Sequence, residues 1–272
     1  MSQELYDSQQ ASRSFGAALR ELLRFRDLLT MLVKLSLTVR YKRSLLGVGW
    51  TLLNPLLHMA VLSIAFSSLF ATHLPRYPVY VFTGLIVMDF FSQTTSFAVN
   101  QLAWGSPLLS RVWLPAAVFP ISAVGSGVVN FLITLLPLAA IMAAFGSPVS
   151  WHVVLFPLSL VALAMFSLGV GLFLAALAIN FHDVVNMWGV ILRAWYFLTP
   201  VMYPEEIFPK TARWVLELNP LYHILLCFRE PVLAGRFPSL EHLAAAFAWA
   251  LAVLTLGWWY FSRRRFEFAL LG

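Results

Sequence analysis

The sequence predicts an all-α membrane protein with six transmembrane helices, on three observations. Sixty per cent of its 272 residues are apolar and 11% charged, with a mean hydropathy of +0.81, too little charge to coat a soluble domain. Six apolar runs follow one another along the chain, each long enough to be read as a bilayer crossing. Of the 18 Lys and Arg, eight precede Leu45, three are Arg263, Arg264 and Arg265, and one is Arg111. Arg76, Lys210, Arg213, Arg229 and Arg236 fall on the other side, and Arg193 within a run. That asymmetry predicts an even number of spans with both termini in the cytoplasm.

The first element is a basic amphipathic interface helix over 12–38. Phe15, Ala18, Leu19, Leu22, Leu29 and Val33 recur at helical spacing, against Arg13, Arg20, Arg24, Asp27 and Lys34, and Ser14 can cap the start. Arg40, Lys42 and Arg43 then place three cations within four residues, and an apolar run follows. Span one covers 45–71, with Asn54 and Pro55 as a bend, because proline removes a backbone donor. Residues 1–14 hold no apolar core of a cleaved signal, so the first span is expected to remain.

Span two, 79–99, carries Asp89 near its middle, costly unless it faces protein, water or a cation. Residues 100–115, NQLAWGSPLLSRVWLP, are too short and too polar to cross and read as a short cytoplasmic helix. Span three, 116–145, holds Ala123 and Gly127; span four, 153–179, holds Gly169, Gly171 and Ala175. Such small residues let helices approach closely. After the polar link 180–186, span five covers 187–203 with Arg193 inside it and a break at Thr199-Pro200.

The outer region, 204–241, interleaves charges with Trp214, Tyr222 and Phe228. Its apolar stretches, Trp214 to Leu218 and Leu221 to Phe228, suit helices that dip into the interface and return. Span six, 242–261, ends at the three arginines.

The chemistry present is sparse. No phosphate-binding GxxxxGK[ST] loop occurs, so ATP, if used, binds a partner. The six histidines are scattered without a metal-ligand pattern, and Cys227 is the one cysteine, so no metal site and no internal disulfide are expected. There are no paired carboxylates or nucleophile arrangement for an enzyme. The net charge of +6 fits loops facing anionic lipid rather than nucleic acid. Asp89 and Arg193 are the two deep charges. They read as a pair across helices, with a substrate-phosphate role for Arg193 as the alternative. Outer-half aromatics, among them Tyr203, Trp214, Tyr222 and Phe228, fit either an interfacial belt or an exit path along which sugar rings slide. An ion-coupled transporter or flippase of lipid or solute is the competing function, weakened by so few intramembrane charges.

The stretch RYKRSLLGVGWTLLNPLL, the basic amphipathic helix before it, and NPLYHILLCFREPVLAG at 219–235 resemble the type-2 ATP-binding cassette permeases that export polysaccharides and polyol phosphates. O-antigen, capsule and teichoic-acid exporters belong to that family. The resemblance implies one permease domain in the bacterial inner membrane, a second copy of itself, and two copies of a separate ATPase carrying ATP and Mg. It also implies a polyprenyl-pyrophosphate-linked glycan moving through a channel between the copies. It places ATPase coupling on 100–115, with Trp104, Gly105, Ser106, Pro107 and Arg111, and a second contact at His182 and Asp183. The outer helices become re-entrant gates, and Arg40, Lys42 and Arg43 a surface for the pyrophosphate head, for which clustered cations supply donors and field. The same three cations also serve as a plain topological anchor, and the sequence leaves both roles open.

Overall fold

In the computed structural model the described residues are 25–42, 46–47, 49–70, 74, 76–103, 115–147 and 150–264. They are all-helical, with no strand among them. Helix α1 (Arg26–Tyr41) lies along α4 (Val118–Ala144). Its Leu32 is buried, and Gly125 leaves room for it: a Cβ there would come 2.8 Å from Val33 Cγ2. Its other side exposes Met31, Leu35 and Val39 at four-residue spacing, beside Lys34. The interface helix expected over 12–38 is therefore described from Arg26 and runs to Tyr41; residues 12–24 lie outside the described residues.

Helix α2 (Gly49–Phe70) is continuous through Pro55 and buries only Pro55 and Phe70. Helix α3 (Tyr77–Ala103) is the centre of the bundle, packing on α2, α4 and α5 (Phe156–Ala178). A one-turn 3-10 helix, Trp151–Leu155, leads into α5. Gly146 ends α4 at φ 63°, with the Ser147 amide donating to the Met142 carbonyl at 2.9 Å, a left-handed stop that glycine takes without strain. Then come α6 (Val184–Leu198), the short α7 (Arg213–Glu217), α8 (Pro220–Leu233) and α9 (Leu240–Arg263).

Small residues set the closest approaches. A Cβ at Gly257 of α9 would fall on the Gly169 carbonyl oxygen of α5, and one at Gly169 would meet the α9 backbone at Leu254 N and Val253 C, both 2.6 Å away. A Cβ at Gly127 of α4 would strike Thr94 Oγ1 and Phe90 of α3. In a bilayer, where apolar surface gains little from leaving lipid, such backbone proximity is what makes helix contacts favourable.

Four helical segments are long and apolar enough to cross a membrane: Gly49–Phe70, Val118–Ala144, Trp151–Ala178 and Leu240–Arg263. The sequence predicts six. The other two expected spans correspond to α3 and α6. Helix α3 is about 40 Å long, but polar residues along one side lower its hydropathy. Helix α6 has 15 residues, about 22 Å, short of the ~30 Å hydrocarbon layer.

The core is aromatic. Phe91 sits against Phe166, Trp188 and Trp195, and Phe228 against Phe131 and Phe156, with ring centroids 4.6–5.9 Å apart. A second cluster around Leu32, Leu102, Phe119, Leu172 and Phe261 ties α1 to the same end as the last turns of α3 and α9.

Candidate functional site

Helix α3 buries Phe90, Phe91, Thr94, Thr95, Ala98 and Val99 but leaves Asp89, Ser92, Gln93, Ser96 and Asn100 incompletely covered. Steps of three and four residues place that second set on one side of a helix, so a polar stripe about 16 Å long runs down α3. Helices α2 and α6 each pack on α3, with no extensive contact between them. On α2, Thr51, Asn54 and His58 share one side; on α6, Asn186, Gly189, Arg193 and Tyr196 do. Asp89 lies within electrostatic reach of His58 on one wall and of Tyr196 on the other. The result is a groove with α3 as floor and polar groups on all three helices.

Two tryptophans fix the α6 wall. Trp188 Nε1 donates to Thr95 Oγ1 at 3.0 Å, and Trp195 Nε1 to Asn219 Oδ1 at 2.9 Å. Asn219 does more than cap α8. Its side-chain oxygen also accepts from the Leu221 amide at 3.1 Å, and its amide group donates to Thr199 Oγ1 at 2.9 Å. The Asn-Pro that opens α8 thus ties it to the end of α6.

The segment after α6 is stitched to the start of α3. Tyr77 Oη donates to the Met202 carbonyl at 2.8 Å, and Tyr80 Oη to that of Tyr203 at 2.8 Å, with the Pro200 oxygen 3.1 Å away. Between them lies Arg229 of α8, only 4% exposed. Its Nη1 donates to the Pro200 carbonyl at 2.9 Å, Nη2 to those of Tyr80 and Val201 at 3.2 and 3.4 Å, and Nε to Thr83 Oγ1 at 3.3 Å. Gly84 makes the space: a Cβ there would come 2.9 Å from Nη2. Arg229 is a clamp built on carbonyl dipoles and a ring face, which suits a planar five-donor cation.

At the hairpin of α7 and α8, Tyr222 Oη donates to Glu205 Oε2 at 2.5 Å, and burial together with that carboxylate raises its pKa. His223 Nε2 lies 2.7 Å from the Glu217 carbonyl and its Nδ1 3.0 Å from His242 Nδ1. A carbonyl only accepts, so the network assigns a proton to His223 Nε2. The contact between the two rings joins α8 to α9.

The residues singled out in the sequence distribute unevenly. Arg40 is in the last turn of α1 and Lys42 follows it, exposed; Arg43 and the coupling candidates Trp104, Gly105, Ser106, Pro107 and Arg111 lie outside the described residues. Asn54 is exposed beside buried Pro55 within α2. His182 and Asp183 are exposed in the turn between α5 and α6. Among the described residues the ion pairs are Arg26–Asp27 and Arg236–Glu230. The pairing expected between Asp89 and Arg193 is not formed within the chain, because Arg193 is on an uncovered side of α6. Of the outer aromatics, Tyr222 and Phe228 are buried, Trp214 is exposed, and Tyr203 donates to the Phe197 carbonyl at 2.8 Å. Arg229 was countable in the sequence only as one outer cation. Its signal was its place, closing the apolar run Leu221 to Phe228 in a helix opened by Asn-Pro.

Residues 27–233 match the family model described as ABC-2 type transporter. The chain is similar to the O-antigen export system permease protein RfbA of Myxococcus xanthus, at 34% identity over 252 residues, which are 92% of this chain and 97% of that protein. It is 24% identical over 247 residues to the RfbA protein of Klebsiella pneumoniae, covering 89% of this chain and 94% of that one. It is also 24% identical over 211 residues to the polysialic acid transport protein KpsM of Escherichia coli, covering 75% and 82%.

Proposed function

The chain belongs to the ABC-2 type transporter family, and from that premise we propose that it moves a polyprenyl-pyrophosphate-linked polysaccharide outward across the bacterial inner membrane. It is a transport permease and not an enzyme; ATP is bound and hydrolysed by a separate subunit. The relatives' names favour O-antigen as the cargo, with polysialic acid next.

The observation that carries the reading is the one-sided polar groove of α2, α3 and α6. A lone groove open to lipid would strand Asp89, Gln93, Asn54 and Arg193 against hydrocarbon, at a cost of several kcal/mol for a charge. A second copy facing the first closes it into a channel, wet and polar on both halves. Six crossings are then counted, with α3 as a span whose polar side faces that channel and not lipid, and α6 extended by 199–203 as the other.

Two copies of the ATPase dock at 100–115 and at the turn with His182 and Asp183. Both termini stay in the cytoplasm. Arg40, Lys42 and Arg43 draw in the anionic head of the carrier lipid from the inner leaflet, and the hairpin of α7 and α8 gates the outer end beside Tyr203 and Trp214.

The test is co-expression with the ATPase encoded beside this chain in a strain that makes the polymer but lacks its own permease. A stable complex with polymer displayed at the surface supports the reading. Polymer retained on the cytoplasmic side despite a stable complex contradicts it.

A further inference from the structure

Beneath the groove, where α2, α3 and α4 meet, is a cavity of about 30 Å³ lined by Thr51, Asp89, Gln93, Asn130 and Thr134, with Pro55 and Phe90 closing its apolar sides. One water needs ~10–15 Å³ measured in this way, so the space takes a water-sized occupant or two and no sugar ring. Its polar lining is one carboxylate, two carboxamides and two hydroxyls, contributed by three helices. There is no thiol, imidazole or thioether among these residues, which excludes a soft-metal site.

We propose that this cavity binds a sodium-sized monovalent cation, with the Asp89 carboxylate as the charged ligand and the side-chain oxygens of Thr51, Gln93, Asn130 and Thr134 around it. Three facts converge on a cation. A carboxylate at membrane depth is costly unless protein, water or a cation meets it, and among the described residues Asp89 forms no ion pair. Arg193, the other deep charge, is on an uncovered side of α6. The remaining groups in electrostatic reach are His58 on α2 and Tyr196 on α6, and the His58 ring stands outside ion-pair distance of the Asp89 carboxylate. One carboxylate among neutral oxygens matches a single positive charge, whereas calcium sites draw on several carboxylates and magnesium keeps its own waters in a larger shell.

The site has a structural consequence. Helix α2 buries only Pro55 and Phe70, so it is the least embedded long helix of the bundle. A cation bridging Thr51 of α2 to Asp89 of α3 and Asn130 of α4 fastens that wall of the groove to the floor.

The test is thermal unfolding of the full-length chain in detergent at about pH 8, where an ordinary imidazole is neutral, with sodium chloride replacing choline chloride at constant ionic strength. The expected result is a saturable rise in melting temperature of about 2–4 °C at several times the half-saturating sodium concentration, absent in Asp89→Asn. Sodium-23 NMR line broadening by the wild-type chain, relieved in the variant, reads the same binding directly. Equal melting in sodium and choline, or a sodium response that survives in Asp89→Asn, overturns the proposal. So does a melting temperature that ignores sodium and rises only on acidification, since Asp89 is then compensated by a proton. If the variant is not recovered folded, the wild-type sodium and choline titrations decide alone. None of these readouts involves polymer export, so the cation site and the export reading stand or fall separately.

Discussion

The guanidinium of Arg229 lies 3.7 Å from the centre of the Tyr80 ring, whose own hydroxyl reaches past it to the Tyr203 carbonyl. A residue of the α7–α8 hairpin and a residue of the first turn of α3, 149 positions apart, thereby hold the same stretch of backbone after α6. The hairpin, the end of the α6 wall and the start of the groove floor are joined at one point. Movement of the hairpin alone would break several charge-assisted hydrogen bonds at once, so the geometry favours motion of these parts together.

Arg229→Leu is expected to destabilise the chain by about 2–4 kcal/mol, because it strands the carbonyls of Pro200, Val201 and Tyr80 in a dry site. Arg229→Lys should recover only part of this, since an ammonium cannot reach all of those acceptors as a planar fork does. Thermal unfolding in detergent of the three proteins gives the order wild type, Lys, Leu.

Asn219→Ala removes an α8 cap, the acceptor for Trp195 and the donor to Thr199, and is expected to cost about 2–3 kcal/mol. Asn219→Asp keeps the cap and the Trp195 acceptor, losing the donor alone. Its loss should be about 1 kcal/mol, with quenched or shifted Trp fluorescence only in the Ala variant.

Glycines at and away from helix contacts should behave oppositely. Gly257→Val drives a side chain into the Gly169 backbone and should prevent recovery of folded permease. Gly189→Ala meets nothing within 4 Å and should leave stability within about 0.5 kcal/mol. Yield and monodispersity on size exclusion separate the two.

Neutralising Arg40, Lys42 and Arg43 together to Gln is expected to abolish surface polymer while the chain still inserts and still assembles with its ATPase. Loss of insertion itself would assign the cluster to topology alone.

The helical segments and the small-residue contacts were legible in the sequence because each is a local pattern. Gly127 and Gly169 do sit at the tight contacts their spacing suggested. The clamp was not legible: a buried cation with no acidic partner is satisfied by carbonyls of Tyr80, Pro200 and Val201, distant in sequence and carrying no side-chain signal. The groove floor was half legible. Asp89 stood out as a charge, but Ser92, Gln93, Ser96 and Asn100 are individually ordinary in a helix, and only their uncovered common side gives them meaning. The expected Asp89–Arg193 pair failed for a related reason, since complementary charge in sequence does not fix whether two groups on the same groove come within ion-pair distance.

The most direct test of the groove as the transport path is Gly189→Trp. Gly189 stands on the α6 wall with open space around it, so the ring can be accommodated without disturbing the fold while it fills the path. The expected result is a complex that assembles with its ATPase and melts like wild type, yet displays no polymer at the cell surface. Surface polymer at the wild-type level from that variant would contradict it.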